Sequence, residues 1–250
     1  MEEETATKLL EVNHTFYQSL GKHFSATRSR LQPGVKKVAK KLVSVSEILD
    51  LGCGNGELAY YLINAGYAGS YIGLDISREM LAEARHKTAA SQNTFFYEVD
   101  ISKSNWPATA VLQNANTKAA QYDAILAFAV LHHIPGAELR IQLLREVHKL
   151  LAPGGLLTLS VWQFLKSARL VKKIQPWGKI GVQPVDVDVN DYLLDWQHGE
   201  YGLRYVHYFA EDELAELAEQ THFKIVGSFC SDGEGGNLGL YQIWERINNP

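Results

Sequence analysis

A short glycine-rich segment constrains this chain more than any other feature of its sequence. The residues Asp50-Leu51-Gly52-Cys53-Gly54-Asn55-Gly56 follow an apolar run, Ile48-Leu49, that is typical of the end of a buried strand. Glycines at alternate positions let the backbone turn sharply and approach a ligand closely. A dinucleotide-binding turn needs G-x-G-x-x-G, but Gly56 comes one residue early and is followed by Glu57. Because a carboxylate at a helix N-terminus repels a pyrophosphate, the spacing favours a ligand without phosphate.

The sequence around this segment alternates between strand and helix patterns. Strands are predicted at Glu47–Leu51, Tyr71–Leu74, Thr94–Val99, Tyr122–Ala127 and Leu156–Val161, and helices at Leu58–Ala65, Arg78–Ala89 and Ala137–Leu151. Such alternation favours a parallel sheet with helices on both faces. Two later strands, Phe223–Cys230 and Leu240–Trp244, have no helix between them and should pair antiparallel. The expected α/β fold is a doubly wound, seven-stranded, mostly parallel Rossmann-like sheet with an antiparallel C-terminal hairpin.

The rest of the chain surrounds this core within a single predicted domain. Residues 5–43 predict two helices with a break near Gln32-Pro33-Gly34. Between residues 162 and 210 the alternating pattern lapses over a stretch too long for a simple loop, so we expect an insertion that shapes a substrate pocket. The predicted parts are N-terminal helices (1–43), a core (44–161), the insertion (162–210) and a C-terminal helix with the hairpin (211–250).

The second N-terminal helix carries lysines on one face. Lys36, Lys37, Lys40 and Lys41 lie opposite its apolar residues. Two interpretations stay open, a solvated face and a face that contacts phosphates. The net charge of −4 and the pI of about 6.1 do not indicate a generally basic surface, but they leave a local basic patch open.

Cysteine usage and hydropathy indicate the cellular setting. Cys53 and Cys230 lack metal-ligand spacing, which favours a reducing compartment over a disulfide or a zinc site. The acidic start, Met1-Glu2-Glu3-Glu4, has no apolar core of a signal peptide. No apolar run approaches the ~20 residues of a membrane span. We therefore expect a cytoplasmic protein with no membrane partner and no metal.

Carboxylates stand at the ends of three successive predicted strands, where open α/β sheets bind their ligands. Asp50 ends the first strand, Asp75 ends the second, and Asp100 ends the third. Asp75 follows Gly56 by about 20 residues, the usual offset of an acid that accepts from ribose hydroxyls. A single aspartate at a strand end is often only a turn residue. Three of them beside the glycine loop indicate a nucleoside ligand.

The pattern D-x-G-x-G-x-G, with the turn Leu150–Gly155 before strand five, resembles the class I S-adenosylmethionine (SAM) methyltransferases. The resemblance implies the class I methyltransferase fold and S-adenosyl-L-methionine, a phosphate-free nucleoside, as cofactor. Asp50 would bind the methionine amino group directly or through water, Asp75 the ribose, and Asp100 with Ile101 the adenine. The expected cofactor-binding residues are Asp50, Gly52, Cys53, Gly54, Gly56, Asp75, Ile76, Asp100, Ile101 and Phe128.

The segment after strand four argues against two kinds of methyl acceptor. Amino methylation of nucleic-acid bases is usually marked by Asn/Asp-Pro-Pro-aromatic, and this chain has Ala127-Phe128-Ala129-Val130. Carbon methylation of pyrimidines needs a nucleophilic cysteine, but neither cysteine has a base beside it in sequence, so both are interpreted as structural. His132, in Leu131-His132-His133-Ile134, either orients an acceptor or accepts its proton, or is a hydrogen-bonded residue of the strand end.

Segments near both ends of the chain resemble the tRNA wobble-uridine carboxymethyl methyltransferases. They are Phe24–Arg28, Asn190–Trp196, Leu203–Phe209 with Glu213-Leu214, and Gly236-Asn237. The resemblance implies esterification of a carboxymethyl group on a tRNA uridine. A carboxylate is already ionised at pH 7 and needs no general base, so catalysis would be mainly alignment and desolvation.

An arginine fork is the natural clamp for such a carboxylate. Arg28 and Arg204 are the candidates, and His132 and His207 would complete the pocket. One arginine could instead hold the carboxylate of the cofactor, and a surface ion pair is the alternative for both.

Two other functions stay open beside the tRNA interpretation. The acidic net charge and the aromatic insertion, with Asp186, Asp188, Asp191 and Asp195, favour a small carboxylic acid or phenol as acceptor. A non-catalytic protein that holds SAM is the third alternative. Eukaryotic members of the tRNA family also use a small zinc-binding activator protein, so the resemblance implies such a protein as a further candidate partner beside tRNA.

Overall fold

The computed structural model describes residues 1–26, 30–108, 121–198 and 200–247. Its helices are α1 (Glu3–Ala26), α2 (Pro33–Leu42), α3 (Glu57–Asn64), α4 (Arg78–Lys87), α5 (Ala137–Leu150), α6 (Ala168–Val171) and α7 (Glu211–Gln220). Its strands are β1 (Glu47–Leu51), β2 (Ser70–Asp75), β3 (Thr94–Glu98), β4 (Tyr122–Phe128), β5 (Leu151–Trp162), β6 (Ile174–Gln175), β7 (Asp191–His198), β8 (Glu200–His207), β9 (Phe223–Ser231) and β10 (Gly239–Arg246).

The central sheet has seven strands in the order β3-β2-β1-β4-β5-β10-β9. The neighbours from β3 to β5 pair parallel, whereas β10 runs antiparallel to both β5 and β9. The last two strands thus form the predicted hairpin, with β10 inserted between β5 and β9. This arrangement confirms the expected doubly wound sheet.

Side chains of the central strands alternate between two apolar layers. In β1, Ile48 packs on one side, while Leu49 and Leu51 pack on the other. Helices α2, α3 and α4 cover the first side, and α5 and α7 cover the second. This is the period of two expected of a strand that is buried on both faces. Asp50 shares its face with Ile48, beneath the layer of α3 and α4.

The predicted turn at Pro153-Gly154-Gly155 lies inside β5 as a bulge. The pairing between β4 and β5 shifts there, from Tyr122 opposite Leu151 to Ala124 opposite Leu156. Gly154 has a φ of 74°, in the left-handed region that glycine adopts without strain. The strand therefore begins five residues earlier than its apolar pattern indicates.

The insertion contains a second sheet, of strands β6, β7 and β8 in that order, all antiparallel. Helix α1 packs on β8: the Asn13 side chain donates to the Tyr205 carbonyl at 3.2 Å and accepts from the Tyr205 N–H at 2.8 Å. The amide of Asn13 thus pairs with the strand backbone as a neighbouring strand would. These contacts hold α1 and the insertion together beside the carboxyl ends of the central strands. Within the described ranges, no helix combines the length and the apolar character needed to cross a membrane.

Candidate active site

The glycine loop after β1 has a backbone that other residues would strain. Gly52, Gly54 and Gly56 have φ values of 70°, 55° and 74°. A Cβ on Gly56 would lie 2.7 Å from the Ala84 Cβ and 2.9 Å from the Ala84 Cα. The N–H of Gly52 donates to the Leu74 carbonyl at 2.7 Å, which fastens the loop to β2. At its three glycines the loop therefore presents backbone, with no side chain, in a preset conformation.

We expect the substitutions Gly56→Ala and Gly54→Ala to separate the cost of a left-handed backbone from the cost of a collision with α4. Both force alanine into the left-handed region, which costs roughly 1–2 kcal/mol of folding free energy. Only Gly56→Ala also collides with the backbone of α4, whereas the Gly54 Cβ would meet only the Met80 Sδ, at 3.7 Å. Urea unfolding should show the larger loss for Gly56→Ala. Equal losses would contradict the importance of the contact with α4.

A cavity of about 280 Å³ opens at the carboxyl ends of β1 to β4. It is lined by every residue predicted to bind the cofactor except Gly56, the N-cap residue of α3. Further lining residues come from α1, from the segment that leads into α2, from α3 and α4, and from the segment after β4. The parallel strands thus bring the separate sequence motifs to one edge of the sheet, as expected for this topology.

Backbone N–H groups hold two of the three carboxylates in place. Asp75 accepts from the Gly54 N–H and the Ser77 N–H, each at 2.9 Å. Asp100 accepts from the N–H of Ser102 at 3.0 Å and from its hydroxyl at 2.6 Å. A carboxylate has about four lone-pair positions, so both acids keep acceptor capacity toward the cavity. Such a preset pair suits hydroxyl and amino donors of a nucleoside.

Asp50 is the most deeply buried of the three acids, with 4% of its surface exposed. Its pKa is raised to about 7: burial is the main cause, the hydrogen bond from the Tyr71 hydroxyl acts in the opposite direction, and the nearby Asp75 adds a smaller rise. A carboxyl with this pKa readily ionises when a cation arrives. It fits the ammonium group of a methionine moiety.

The raised pKa of Asp50 predicts that SAM binding depends on pH. If Asp50 binds the ammonium group of SAM, as the sequence predicts, affinity should rise between pH 6 and pH 8, because the ammonium group needs the ionised carboxylate. Below the pKa of about 7, affinity should fall by up to roughly tenfold for each pH unit. Isothermal titration calorimetry of SAM across this range measures the effect. A flat profile, or the same slope in Asp50→Asn, would contradict the assignment.

Cys53 and Phe128 also line the cavity. Burial raises the pKa of the Cys53 thiol well above its ordinary value, and the charges of Asp75 and Asp50 raise it further. The neutral thiol is a poor nucleophile, as its structural interpretation requires. The Phe128 ring lies 6.0 Å from the Tyr241 ring, which fixes it at the end of β4.

His133, and not His132, reaches the cavity. His133 Nδ1 lies 3.0 Å from the Tyr205 carbonyl, which can only accept, so Nδ1 carries the proton. In the neutral ring, Nε2 then accepts from the Tyr17 hydroxyl at 2.8 Å. His132 is buried and accepts from the Trp162 N–H at 3.3 Å. This placement corrects the prediction that His132 contacts the acceptor. It agrees with the alternative interpretation, in which His132 is a hydrogen-bonded residue at the strand end.

The structure does not bring His207 to the described part of the cavity. Its Nδ1 lies 2.7 Å from Asp191 Oδ1 and its Nε2 lies 2.8 Å from Glu213 Oε1. Arg140 joins the same cluster, with guanidinium nitrogens 3.6 Å from Asp191 and 3.4 Å from Glu213. This buried group, which we call the Arg140 cluster, links α5, β7, β8 and α7. It corrects the prediction that His207 completes the acceptor pocket.

Arg204 is buried between aromatic rings of α1 and β5. Its guanidinium carbon lies 4.6 Å from the centre of the Trp162 ring and 5.6 Å from that of Phe16. With 6% of its surface exposed, it is no surface ion-pairing residue. It is not among the described residues that line the cavity. Arg28 lies outside the described residues.

Sequence reasoning missed the contribution of α1. Asn13, His14 and Tyr17 face the cavity from this helix. Gln18 donates to the Ile76 carbonyl at 2.8 Å and ties α1 to the residue after β2. Nothing in the helical periodicity of residues 5–26 indicates which face lies on a cavity. For this helix, the resemblance at Phe24–Arg28 was the signal that suggested a functional role.

Comparisons with known proteins agree with this geometry. A family model described as "Methyltransferase domain" matches residues 23–228. The chain is 30% identical over 165 residues to the mouse tRNA (carboxymethyluridine(34)-5-O)-methyltransferase ALKBH8, covering 64% of this chain and 22% of that protein. It is 30% identical over 149 residues to the Arabidopsis thaliana tRNA (carboxymethyluridine(34)-5-O)-methyltransferase, covering 60% of this chain and 32% of that protein. The chain thus spans only about a fifth to a third of these relatives.

A solved structure has the same fold over almost the whole chain. It is the Burkholderia thailandensis 1,6-didemethyltoxoflavin-N1-methyltransferase, with bound 1,6-didemethyltoxoflavin and S-adenosylhomocysteine. The TM-score is 0.64 at 19% identity, covering 99% of this chain and 91% of that one. The family model matches most of the chain, and the glycine and aspartate motifs meet at one cavity. The chain therefore belongs to the methyltransferase domain family and is a SAM-dependent methyltransferase of the class I fold.

Proposed function

We propose that this chain methylates the carboxylate of carboxymethyluridine in tRNA. The observation that carries the proposal is the 30% identity to two tRNA (carboxymethyluridine(34)-5-O)-methyltransferases over about 60% of the chain. It is supported by the segments Asn190–Trp196 and Leu203–Phe209, which form the two long strands of the second sheet beside α1. The tRNA is therefore the proposed partner.

The cofactor assignments follow the chemistry of the cavity. Asp50 binds the ammonium group of the methionine moiety, Asp75 the ribose hydroxyls, and Asp100 with Ile101 the adenine. The remaining predicted residues, which form the loop and the hydrophobic wall, are Gly52, Cys53, Gly54, Gly56, Ile76 and Phe128. The positive φ of the three loop glycines supports a close approach of the backbone to the ligand.

The transfer step needs alignment more than acid–base chemistry. When bound, SAM supplies a methyl group on a sulfonium centre; the carboxylate oxygen forms the new C–O bond while the C–S bond breaks and leaves a neutral thioether. The chain must hold the carboxylate in line and exclude water. Arg204, buried against Trp162 and Phe16, and Arg28 are the proposed clamp. His133 and Tyr17 replace His132 as the proposed pocket residues that orient the uridine.

Mass spectrometry of tRNA nucleosides tests the function. Purified protein is incubated with SAM carrying a labelled methyl group and tRNA in which carboxymethyluridine has been confirmed. We expect a labelled methyl ester, and we expect Arg204→Lys to lose it while SAM still binds. Arg169→Lys, a change at an exposed arginine of α6, is the matched control. Absence of label with intact SAM binding would overturn the proposal.

A small carboxylic acid or phenol remains the second candidate acceptor. The net charge of −4 favours it. For a phenol, His133 Nε2 is the candidate proton acceptor, and the phenol would have to take the place of the Tyr17 hydroxyl that Nε2 accepts from at 2.8 Å. His133→Gln distinguishes a phenol from a carboxylate by the size of the loss: removal of a general base costs typically 10²–10⁴-fold in rate, whereas a carboxylate acceptor needs no base and would lose only an orienting contact. A screen of small carboxylates and phenols follows if tRNA is not labelled. SAM binding without turnover on any acceptor would support the non-catalytic alternative.

Two further expectations accompany the proposal. The small activator protein stays a prediction from the resemblance. A cytoplasmic setting is proposed with it, and the free thiols of Cys53 and Cys230 are consistent with a reducing compartment.

A further inference from the structure

Helix α2 presents an uninterrupted basic face. Lys36, Lys37, Lys40 and Lys41 are all exposed, and the helix contains no acidic residue. Its buried face consists of Gly34, Val35, Val38, Ala39 and Leu42. In the described part of the chain, no ion pair engages any of the four lysines. We call these four side chains the α2 lysine face.

The N-terminal end of α2 lies at the cavity, so the α2 lysine face starts one residue after a cavity-lining residue, Val35. Arg30, Leu31, Gln32 and Val35, which lead into α2 and form its first turn, line the cavity. Because a helix rises 1.5 Å per residue, Lys41 lies about 13 Å along the axis from Gln32. A polyanion on these lysines would therefore run from the cavity outward across the surface.

The helix is held rigidly in this position. Asp232 accepts from the Gly34 N–H at 2.9 Å and from the Tyr241 hydroxyl at 2.6 Å. Lys37 Nζ lies 3.9 Å from the centre of the Phe229 ring, which stacks on Tyr241 at 5.0 Å. Asp232, the carboxylate that contacts α2, accepts these hydrogen bonds and forms no ion pair with the described lysines of α2. The charges of the α2 lysine face are therefore available to a ligand.

We propose that the α2 lysine face binds the sugar–phosphate backbone of the tRNA whose uridine enters the cavity. This inference rests on the proposed function and adds the surface that holds the substrate. Lysines contact phosphates as point charges and position a nucleic acid without reading its sequence. In a chain with a net charge of −4, such a local patch supplies the attraction at the one place where the substrate must enter.

Salt-dependent tRNA binding by two charge-matched variants tests the inference. One variant changes Lys36, Lys37, Lys40 and Lys41 to Gln; the control changes four other exposed lysines, Lys149, Lys166, Lys172 and Lys224, to Gln. Each phosphate contact contributes about 0.7–0.9 to the slope of log K against log salt, so between about 50 and 200 mM salt four contacts weaken binding roughly 50- to 150-fold. We expect the α2 variant to lose this part of the salt dependence and the control to keep it.

Methylation kinetics and a second binding probe complete the test. In the α2 variant KM for tRNA should rise while kcat and SAM affinity stay unchanged, because these lysines lie outside the cavity. The same salt slope in both variants would overturn the inference. So would loss of binding to vesicles of phosphatidylcholine and phosphatidylserine without loss of tRNA binding, which would indicate a membrane surface. If the wild type binds tRNA through these lysines but forms no methyl ester, the proposed function fails and the binding surface stands.

Discussion

Asp50→Asn is expected to make the ligand-free protein more stable at pH 8 and to weaken SAM binding. Burial holds the pKa of Asp50 at about 7, above its ordinary value of 3.8. A carboxyl group whose pKa is higher in the folded than in the unfolded protein contributes fully to the unfolding free energy at a pH below its unfolded-state pKa. This contribution is lost as the pH rises through the folded-state pKa. At pH 8 the wild type therefore carries a buried charge that asparagine lacks.

The expected size of this effect is large for one polar substitution. At 1.36 kcal/mol for each pKa unit, the gain in unfolding free energy has an upper limit of roughly 4 kcal/mol. SAM affinity should fall roughly 10- to 100-fold, because a hydrogen bond to a charged group contributes about 1.5–3 kcal/mol. Urea unfolding at pH 5 and pH 8, together with calorimetry of SAM binding, measures both.

A control at the surface distinguishes this effect from a general change in charge. Glu216→Gln removes one exposed carboxylate from α7 and should leave both stability and SAM affinity nearly unchanged. A gain for Asp50→Asn that is the same at pH 5 and pH 8 would speak against ionisation of the buried carboxyl as its cause. If Asp50→Asn binds SAM as tightly as the wild type, Asp50 does not bind the ammonium group.

Arg140→Met is expected to destabilise the fold more than any other single substitution discussed above. Arg140 is 2% exposed and donates to the Ile134 carbonyl at 2.9 Å and to the Tyr205 hydroxyl at 3.0 Å. Its removal takes away these hydrogen bonds and the guanidinium beside Asp191, which keeps His207 and the Tyr205 hydroxyl as partners. Breaking a buried ion pair costs about 3–5 kcal/mol when the remaining charge is left unpaired, so we expect a loss of up to roughly that size. Thermal and urea unfolding measure the loss.

The matched control is Arg145→Met, on the exposed side of the same helix. Its effect should stay within about 0.5 kcal/mol, as for most surface substitutions. Equal effects of the two substitutions would show that the Arg140 cluster contributes no net stability. A loss of methylation without loss of stability would instead assign the cluster to the reaction.

The position of the cavity was predictable because its sequence signals are local. Asp50, Asp75 and Asp100 each end a strand, and parallel topology alone brings such ends together. Ser77, of a residue type that favours helix N-caps, precedes α4, and its hydroxyl accepts from the Met80 N–H at 3.4 Å. Apart from the start of β5, which comes five residues earlier than predicted, the strand and helix bounds of the core agree with the predictions within a few residues.

The acceptor half was less predictable because its contacts are distant in sequence. Strand β8 shows no alternation, since Arg204, Tyr205, Val206 and His207 are all buried. The partners of His207 and Arg140 come from other elements of the fold, so no spacing rule indicates them. His132 and His133 lie in one turn of 3-10 helix, where neighbouring side chains point in different directions. Which of the two faces the cavity depends on α1 and β8.

The half-ionised state of Asp50 also determines the heat of cofactor binding. At a pH near its pKa of about 7, roughly half of the ligand-free molecules carry a proton on this carboxyl. A bound ammonium group favours the ionised form, so each binding event releases on average a fraction of a proton into the buffer. The observed binding enthalpy must then vary with the ionisation enthalpy of the buffer.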